Sequence, residues 1–190
     1  MKLVLASGNP GKLREIRAIL GGKFEEILSM KEMEIFHETV EDGETFLENA
    51  QKKAREIAEI SGCVALADDS GLCVDALDGA PGVHSARFCG KHGDDDANNR
   101  LLIEKLKGVE NRSAHYVCAM SLCYPDGKEI HALGELHGEI VDVARGEGGF
   151  GYDPYFYLPQ YQKTAAEITA EEKNQISHRA IALQKILKQL

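Results

Sequence analysis

The sequence predicts an α/β fold built on a mixed β-sheet, and two observations carry that expectation. The apolar run Lys2-Leu3-Val4-Leu5-Ala6 gives way to Ser7-Gly8-Asn9-Pro10-Gly11, behind which Leu13, Ile16, Ile19 and Leu20 recur at helical spacing. That is a strand, a loop and a helix, the usual opening of an α/β sheet. Farther on, "HYVCAMSLCY" and "KEIHALGELHGEIVDV" read as long strands joined at the turn Pro125-Asp126-Gly127. A long hairpin added to strand–loop–helix units makes the sheet mixed.

The remaining elements follow in order. Gly21-Gly22 stops the first helix. In "TFLENAQKKAREIAEI", Phe46, Leu47, Ala50, Ala54, Ile57 and Ala58 form one apolar stripe, and Thr45 with Glu48 has capping-box spacing. "CVALA" is a second buried strand, expected to end at Asp68-Asp69-Ser70-Gly71. "DDDANNRLLIEKL" opens a helix with acidic residues in its first turn, and capping alone accounts for Asp94, Asp95 and Asp96. "GEGGFGYDP" is an irregular loop, and "HRAIALQKILKQL" is the closing helix. No repeat, low-complexity tract or linker divides residues 1–190, so one domain is expected.

Composition narrows the function. The formal net charge of the 190 residues is -9, which disfavours nonspecific nucleic-acid or membrane binding, since both need a basic face. An anionic ligand must then be met by local Lys and Arg, or by a metal held on carboxylates. The 5 cysteines form no CxxC pair and suit reduced thiols in a cytoplasm. "MKLVLAS" is too short an apolar run for a signal peptide or a membrane span.

Five stretches could carry chemistry. Ser7-Gly8-Asn9-Pro10-Gly11-Lys12 lies where backbone N–H groups and a helix N-terminus can face an anion. Its glycines are too close for a Walker loop and Leu13 follows Lys12, so the γ-phosphate machines are excluded. A plain chain reversal explains the stretch equally well. Asp68-Asp69-Ser70-Gly71 offers two carboxylates able to divide labour, or a simple Asp-Ser-Gly turn. Glu41, Asp42 and Glu44 suit a helix N-terminus, or Mg²⁺ ligation alongside substrate phosphates. Phe150 and Tyr152 in a glycine-rich loop suit a stacking ligand, or an anchor for the loop. Ser177 is a good N-cap, and His178 and Arg179 supply donors for carbonyl oxygens.

Taken together these residues describe a nucleotide polyphosphate site. The chain resembles the inosine/xanthosine triphosphate pyrophosphatases, enzymes that act on non-standard purine nucleotides. The likeness rests on "SGNPGK", "GETFLENAQKKA", "ADDSGLCVDALDGAPGVHSAR", "GGFGYDP", "KTAAE" and "EEKNQISHRAIAL", in that order. It implies a long twisted mixed sheet with an active-site cleft between two lobes, and a cytoplasmic homodimer using Mg²⁺. The implied reaction cleaves ITP, dITP or XTP to the monophosphate and pyrophosphate, cleansing the nucleotide pool.

By that resemblance Ser7, Gly8, Asn9, Pro10, Gly11 and Lys12 bind the triphosphate, and Lys53 faces the phosphates. Glu41 and Asp69 hold Mg²⁺, Asp69 also serves as general base, and Ser70 touches the substrate. Phe150 stacks on the purine, Gly151, Tyr152 and Asp153 shape its pocket, and Lys173, His178 and Arg179 read the base edge. Two alternatives use the same residues: a pyrophosphatase for other modified nucleotides, and a nonenzymatic nucleotide-binding protein.

Overall fold

The computed structural model describes residues 1–190. Its strands are β1 (Lys2–Leu5), β2 (Glu26–Ser29), β3 (Val64–Val74), β4 (Ser113–Cys123), β5 (Glu129–Ile140), β6 (Phe156–Leu158) and β7 (Lys163–Thr164). The α-helices are α1 (Pro10–Leu20), α2 (Phe46–Ser61), α3 (Asp95–Lys105), α4 (Ala170–Ile176) and α5 (His178–Leu187). The strands form a 7-stranded sheet in the order β2-β1-β3-β4-β5-β6-β7. It is mixed, as expected: β1 pairs parallel with β2 and β3, whereas β6 pairs antiparallel with β5 and β7.

Local chemistry sets the helix limits. Asn9 caps α1 by accepting from the N–H groups of Gly11 and Lys12, with Pro10 in the first turn where its missing N–H costs nothing. The Thr45–Glu48 capping box opens α2, and Gly62 closes it in the left-handed conformation at φ 63°. Ser177 caps α5 by accepting from Ala180 N–H.

Five elements depart from the sequence expectation. β3 does not stop at Asp68; it runs through Asp68-Asp69-Ser70-Gly71 to Val74. Leu72 and Val74 are fully buried beyond the polar residues, and that burial keeps the strand extended where turn-forming residue types alone would reverse it. β2, β6, β7 and α4 are additional elements, all short. Asp94 does cap α3 by accepting from Ala97 N–H, but capping does not account for Asp95, whose partner lies in another segment.

The chain divides into two compact units whose boundaries fall inside β3, β4 and β5: residues 1–69, 118–134 and 177–190 in the first, residues 70–117 and 135–176 in the second. In the first unit, successive residues of a strand alternate between two apolar clusters. Leu3, Leu5, Val64 and Leu66 pack with Ile16 and Leu20 of α1 and with Leu183 and Ile186 of α5. Val4, Ala65 and Ala67 pack with Ala54, Ile57 and Ala58 of α2. Period-2 alternation therefore sends Asp68 to the α1/α5 face and Asp69 to the α2 face. Gly134 permits close approach of β5 to α5, since a Cβ there would lie 2.1 Å from the His178 carbonyl oxygen and 2.5 Å from the Ala182 nitrogen. The second unit is cored by Leu72, Val74, Leu102, Leu106, Tyr116 and Phe156 among others.

Candidate active site

In the first unit, charged side chains converge on the middle of β3 from both faces. On the α1/α5 face, Lys12 Nζ lies 2.8 Å from Asp68 Oδ2, and Arg179 Nε lies 3.5 Å from the same oxygen. Arg179 Nη1 also pairs with Glu15 Oε2. Lys12 and Glu15 stand one turn apart on α1, so a single helix supplies both a cation and an anion to this cluster. Burial alone would raise the Asp68 carboxyl, but Lys12, Arg179 and Lys53 outweigh it and hold Asp68 well below the usual carboxylate range. Burial likewise opposes the charge on Arg179, and Asp68 and Glu15 override it.

The α2 face is built differently. Asn49 Nδ2 donates to Asp69 Oδ2 at 2.9 Å, and Asn49 Oδ1 accepts from Gly43 N–H at 2.8 Å. One buried amide thus ties Asp69 to the segment carrying Glu41. Gly43 must be glycine there, because a Cβ would meet Asn49 Oδ1 at 2.7 Å. One turn along α2, Lys53 Nζ donates to Glu41 Oε1 and to the Asp68 carbonyl, both at 2.8 Å. Burial raises the Asp69 pKa; Lys53 and Asn49 oppose the rise and Glu41 reinforces it. Adjacent carboxylates are thereby driven in opposite directions, one locked as an anion and one made more basic.

This donor set suits Mg²⁺. No three His, Cys, Asp or Glu side chains converge at one point, and Glu41 and Asp69 are the two carboxylates that could hold the ion. Mg²⁺ takes one or two carboxylates and completes its shell with phosphate oxygens and water. The ammonium of Lys53 rests on Glu41 in this arrangement.

In the second unit the loop 146–153 is held by a second charged group. Asp153 is buried: Oδ2 accepts from Lys173 Nζ at 2.8 Å and from Phe150 N–H at 2.9 Å, while Oδ1 accepts from Tyr116 Oη at 3.1 Å. Lys173 Nζ sits 4.8 Å from the centre of the Phe150 ring, a cation–π distance. Tyr152 is buried and donates to the Ser85 carbonyl at 2.7 Å. Gly149 and Gly151 have φ 73° and 64°, the left-handed region that favours glycine. The Gly151 N–H donates to Asp95 Oδ2 at 3.0 Å, and the Gly151 carbonyl accepts from Asn99 Nδ2 at 2.9 Å.

The model of the Ham1 family matches residues 3–189. The chain belongs to the Ham1 family. A dITP/XTP pyrophosphatase of Geobacter sulfurreducens is 53% identical over 184 residues, covering 96% of this chain and 92% of the relative. A dITP/XTP pyrophosphatase of Desulforamulus reducens is 50% identical over 189 residues, covering 98% and 94%. Among solved structures, a HAM1 protein from Coxiella burnetii aligns with TM-score 0.89 at 40% identity over 100% of both chains.

The Ham1 chain distributes the sequence-predicted residues unevenly. Lys12, Lys53, Glu41, Asp69 and Arg179 gather in the first unit around Asp68. Ser7 and Asn9 serve the start of α1, with Ser7 Oγ accepting from Asn9 N–H at 3.2 Å. The N–H groups of Gly11 and Lys12 are therefore occupied by Asn9 Oδ1 rather than presented outward. Gly8 has open space around its α-carbon. Arg179, expected at a base edge, is 1% exposed and turned to Asp68 and Glu15, and His178 beside it is also buried. Phe150, Gly151, Tyr152, Asp153 and Lys173 form the loop assembly of the second unit, and Ser70 begins that unit on β3.

Sequence reasoning missed Glu15, Asn49, Asp95 and Asn99 in this Ham1 chain. Spacing held a signal for two of them. Glu15 is three residues from Lys12 and Asn49 four from Lys53, so each shares a helix face with a predicted site lysine. Asp95 and Asn99 are also four apart, but nothing local ties them to Gly151.

Proposed function

We propose that this Ham1 chain is a Mg²⁺-dependent nucleoside triphosphate pyrophosphatase acting on dITP, ITP and XTP. It cleaves the bond between the α- and β-phosphates and releases the monophosphate and pyrophosphate. The observation that carries the reading is the opposed environment of Asp68 and Asp69: an ion-paired carboxylate backing Lys12, next to a carboxylate made more basic by burial. The relatives that share this chain over nearly its full length are named dITP/XTP pyrophosphatases.

Lys12 and Lys53 neutralise the triphosphate, with Ser7, Gly8, Asn9, Pro10 and Gly11 forming the loop beside it. Asp68 and Glu15, through Arg179, keep the Lys12 face charged and in place. Asp69 accepts the proton of the attacking water, and its raised pKa strengthens it as a base. Glu41 and Asp69 would hold Mg²⁺, which when bound supplies charge neutralisation on the phosphate oxygens. Ser70 follows Asp69 on β3 and touches the substrate. Phe150 stacks on the purine, Gly151, Tyr152 and Asp153 shape its surroundings, and Lys173 and His178 supply donors to the base edge. A donor facing purine position six pairs with the carbonyl of inosine or xanthosine and meets the amino group of adenine donor to donor, which disfavours ATP. Arg179, next to His178 at the start of α5, is the third donor for the base edge, its guanidinium also pairing with Asp68 and Glu15.

The protein is a cytoplasmic homodimer in this reading; its cysteines are all free, which suits a reducing compartment. Incubation with Mg²⁺ and each of ITP, dITP, XTP, GTP, ATP and dTTP, with pyrophosphate and orthophosphate assayed separately, tests the activity. Pyrophosphate from the first three with little from ATP is expected. Orthophosphate as the direct product would overturn the bond assignment, and preference for a pyrimidine would overturn the substrate class.

A further inference from the structure

The loop that carries Phe150 reaches its conformation through a contact outside the loop. Asp95 and Asn99 stand one turn apart on α3 and grip the two ends of the Gly151 residue, one accepting its N–H and the other donating to its carbonyl. Both polar groups of Gly151 are consumed by this grip. We propose that Asp95 and Asn99 are positioning residues for base binding, holding the Phe150 ring in its stacking orientation. The inference rests on the stacking role given to Phe150 above.

Three features favour a positioning role over a general structural one. Asn99 is buried, yet its Oδ1 has no hydrogen-bond partner. A residue retained for stability alone gains little from an orphaned buried acceptor, whereas its Nδ2 is aimed at one carbonyl. Asp95 is solvent-exposed, and neither the Asp94 cap nor the Lys91–Asp94 ion pair needs it. Gly151 itself is in the left-handed region, and beyond its two chain neighbours no atom lies within 4 Å of the point a Cβ would occupy, so that side of the residue is open while the two side chains hold its polar groups. On the other side of Phe150, its N–H is already fixed by Asp153. The backbone that carries the ring is thus set by a hydrogen bond on its own residue and a double grip on the next, with Lys173 against the ring itself.

Steady-state kinetics of D95A, D95N, N99A, N99D and F150A with ITP tests the inference, with inorganic tripolyphosphate as a competitive probe that has no base to stack. Losing one such bond weakens binding on the order of fivefold to tenfold. KM for ITP should therefore rise by about that factor in D95A and N99A, and further in N99D, where a carboxylate would face the Gly151 carbonyl. D95N retains an acceptor for the Gly151 N–H and should lie closer to the parent than D95A. The parent kcat and the Ki of tripolyphosphate should persist in all four. The inference is overturned if D95A and N99A keep the parent KM while F150A raises it, or if tripolyphosphate weakens as much as ITP. A parent KM in F150A removes the stacking reading, and this inference with it. D95A alters an exposed side chain, so its result stands even where a change at Asn99 impairs folding.

Discussion

Asp68 and Asp69 are consecutive residues of one strand, and they face opposite sides of the sheet with opposite electrostatics. Asp68 contacts Lys12 and Arg179; Asp69 contacts Asn49 and lies under the influence of Lys53 and Glu41. Strand alternation produces this split without any loop geometry. It separates the task of holding cations in place from that of accepting a proton.

Substituting Asp69 by Asn keeps the side-chain shape and removes the base. We expect D69N to lose about 10²–10⁴-fold in kcat. Isothermal titration with a nonhydrolysable triphosphate should show affinity within a few-fold of the parent in the absence of Mg²⁺. A variant that turns over normally would remove Asp69 from the mechanism.

The pH dependence should carry the same signature. Burial raises the Asp69 pKa, so the acid limb of the Asp69 titration in the Mg²⁺-free chain lies above the ordinary Asp value of about 3.9. Lys53 works against that rise, and replacing it with Met should move the limb to still higher pH. Carboxyl NMR titration of the Mg²⁺-free parent and K53M decides the point; an unmoved or lowered limb in K53M contradicts the assignment.

Much of this arrangement was legible in the sequence, and the failures have identifiable causes. The Thr45–Glu48 box, the Ser177 cap and the alternation in "CVALA" are local signals, and α2, α5 and the start of β3 follow from them. Asp68-Asp69-Ser70-Gly71 uses turn-forming residues, yet Leu72 and Val74 are buried past it, and tertiary burial overrides the local preference. The opposite faces of Asp68 and Asp69 were implicit in Val64, Leu66 and Ala65, Ala67, once the strand is known to continue. The partners of Arg179 were not legible at all. A helix start is a suitable place for a ligand donor, and only the packing of α5 against α1 reveals that Glu15 and Asp68 engage it.

Asp68 should also be felt in stability. Its pKa is depressed in the folded chain, so its contribution is fully present above the unfolded value of about 3.9 and is lost as pH falls below it. Removing one partner of a buried ion pair costs about 3–5 kcal/mol, and D68N should approach that figure at neutral pH because it removes the carboxylate that Lys12 and Arg179 both face. Urea unfolding of the parent and D68N from pH 7 down to pH 3 should show the gap narrowing only at the acid end. A gap that stays constant, or widens on acidification, contradicts the ion-paired description.

Gly134 offers a test of how the first unit holds α5. The residue has no left-handed requirement; its constraint is the backbone of α5, with the His178 carbonyl oxygen 2.1 Å and the Ala182 nitrogen 2.5 Å from where a Cβ would stand. Backbone cannot swing aside as a flexible side chain can, so G134A must push α5 away from β5 or bend the strand. Overpacking of this kind costs about 1–3 kcal/mol. The displacement acts on His178 and, next to it, on the Arg179 guanidinium that faces Asp68. G134A should therefore lower the urea midpoint and reduce kcat/KM for ITP together, whereas G8A, in open space, should leave the midpoint near that of the parent. Equal midpoints for G134A and the parent would show that α5 does not rest on β5 as described.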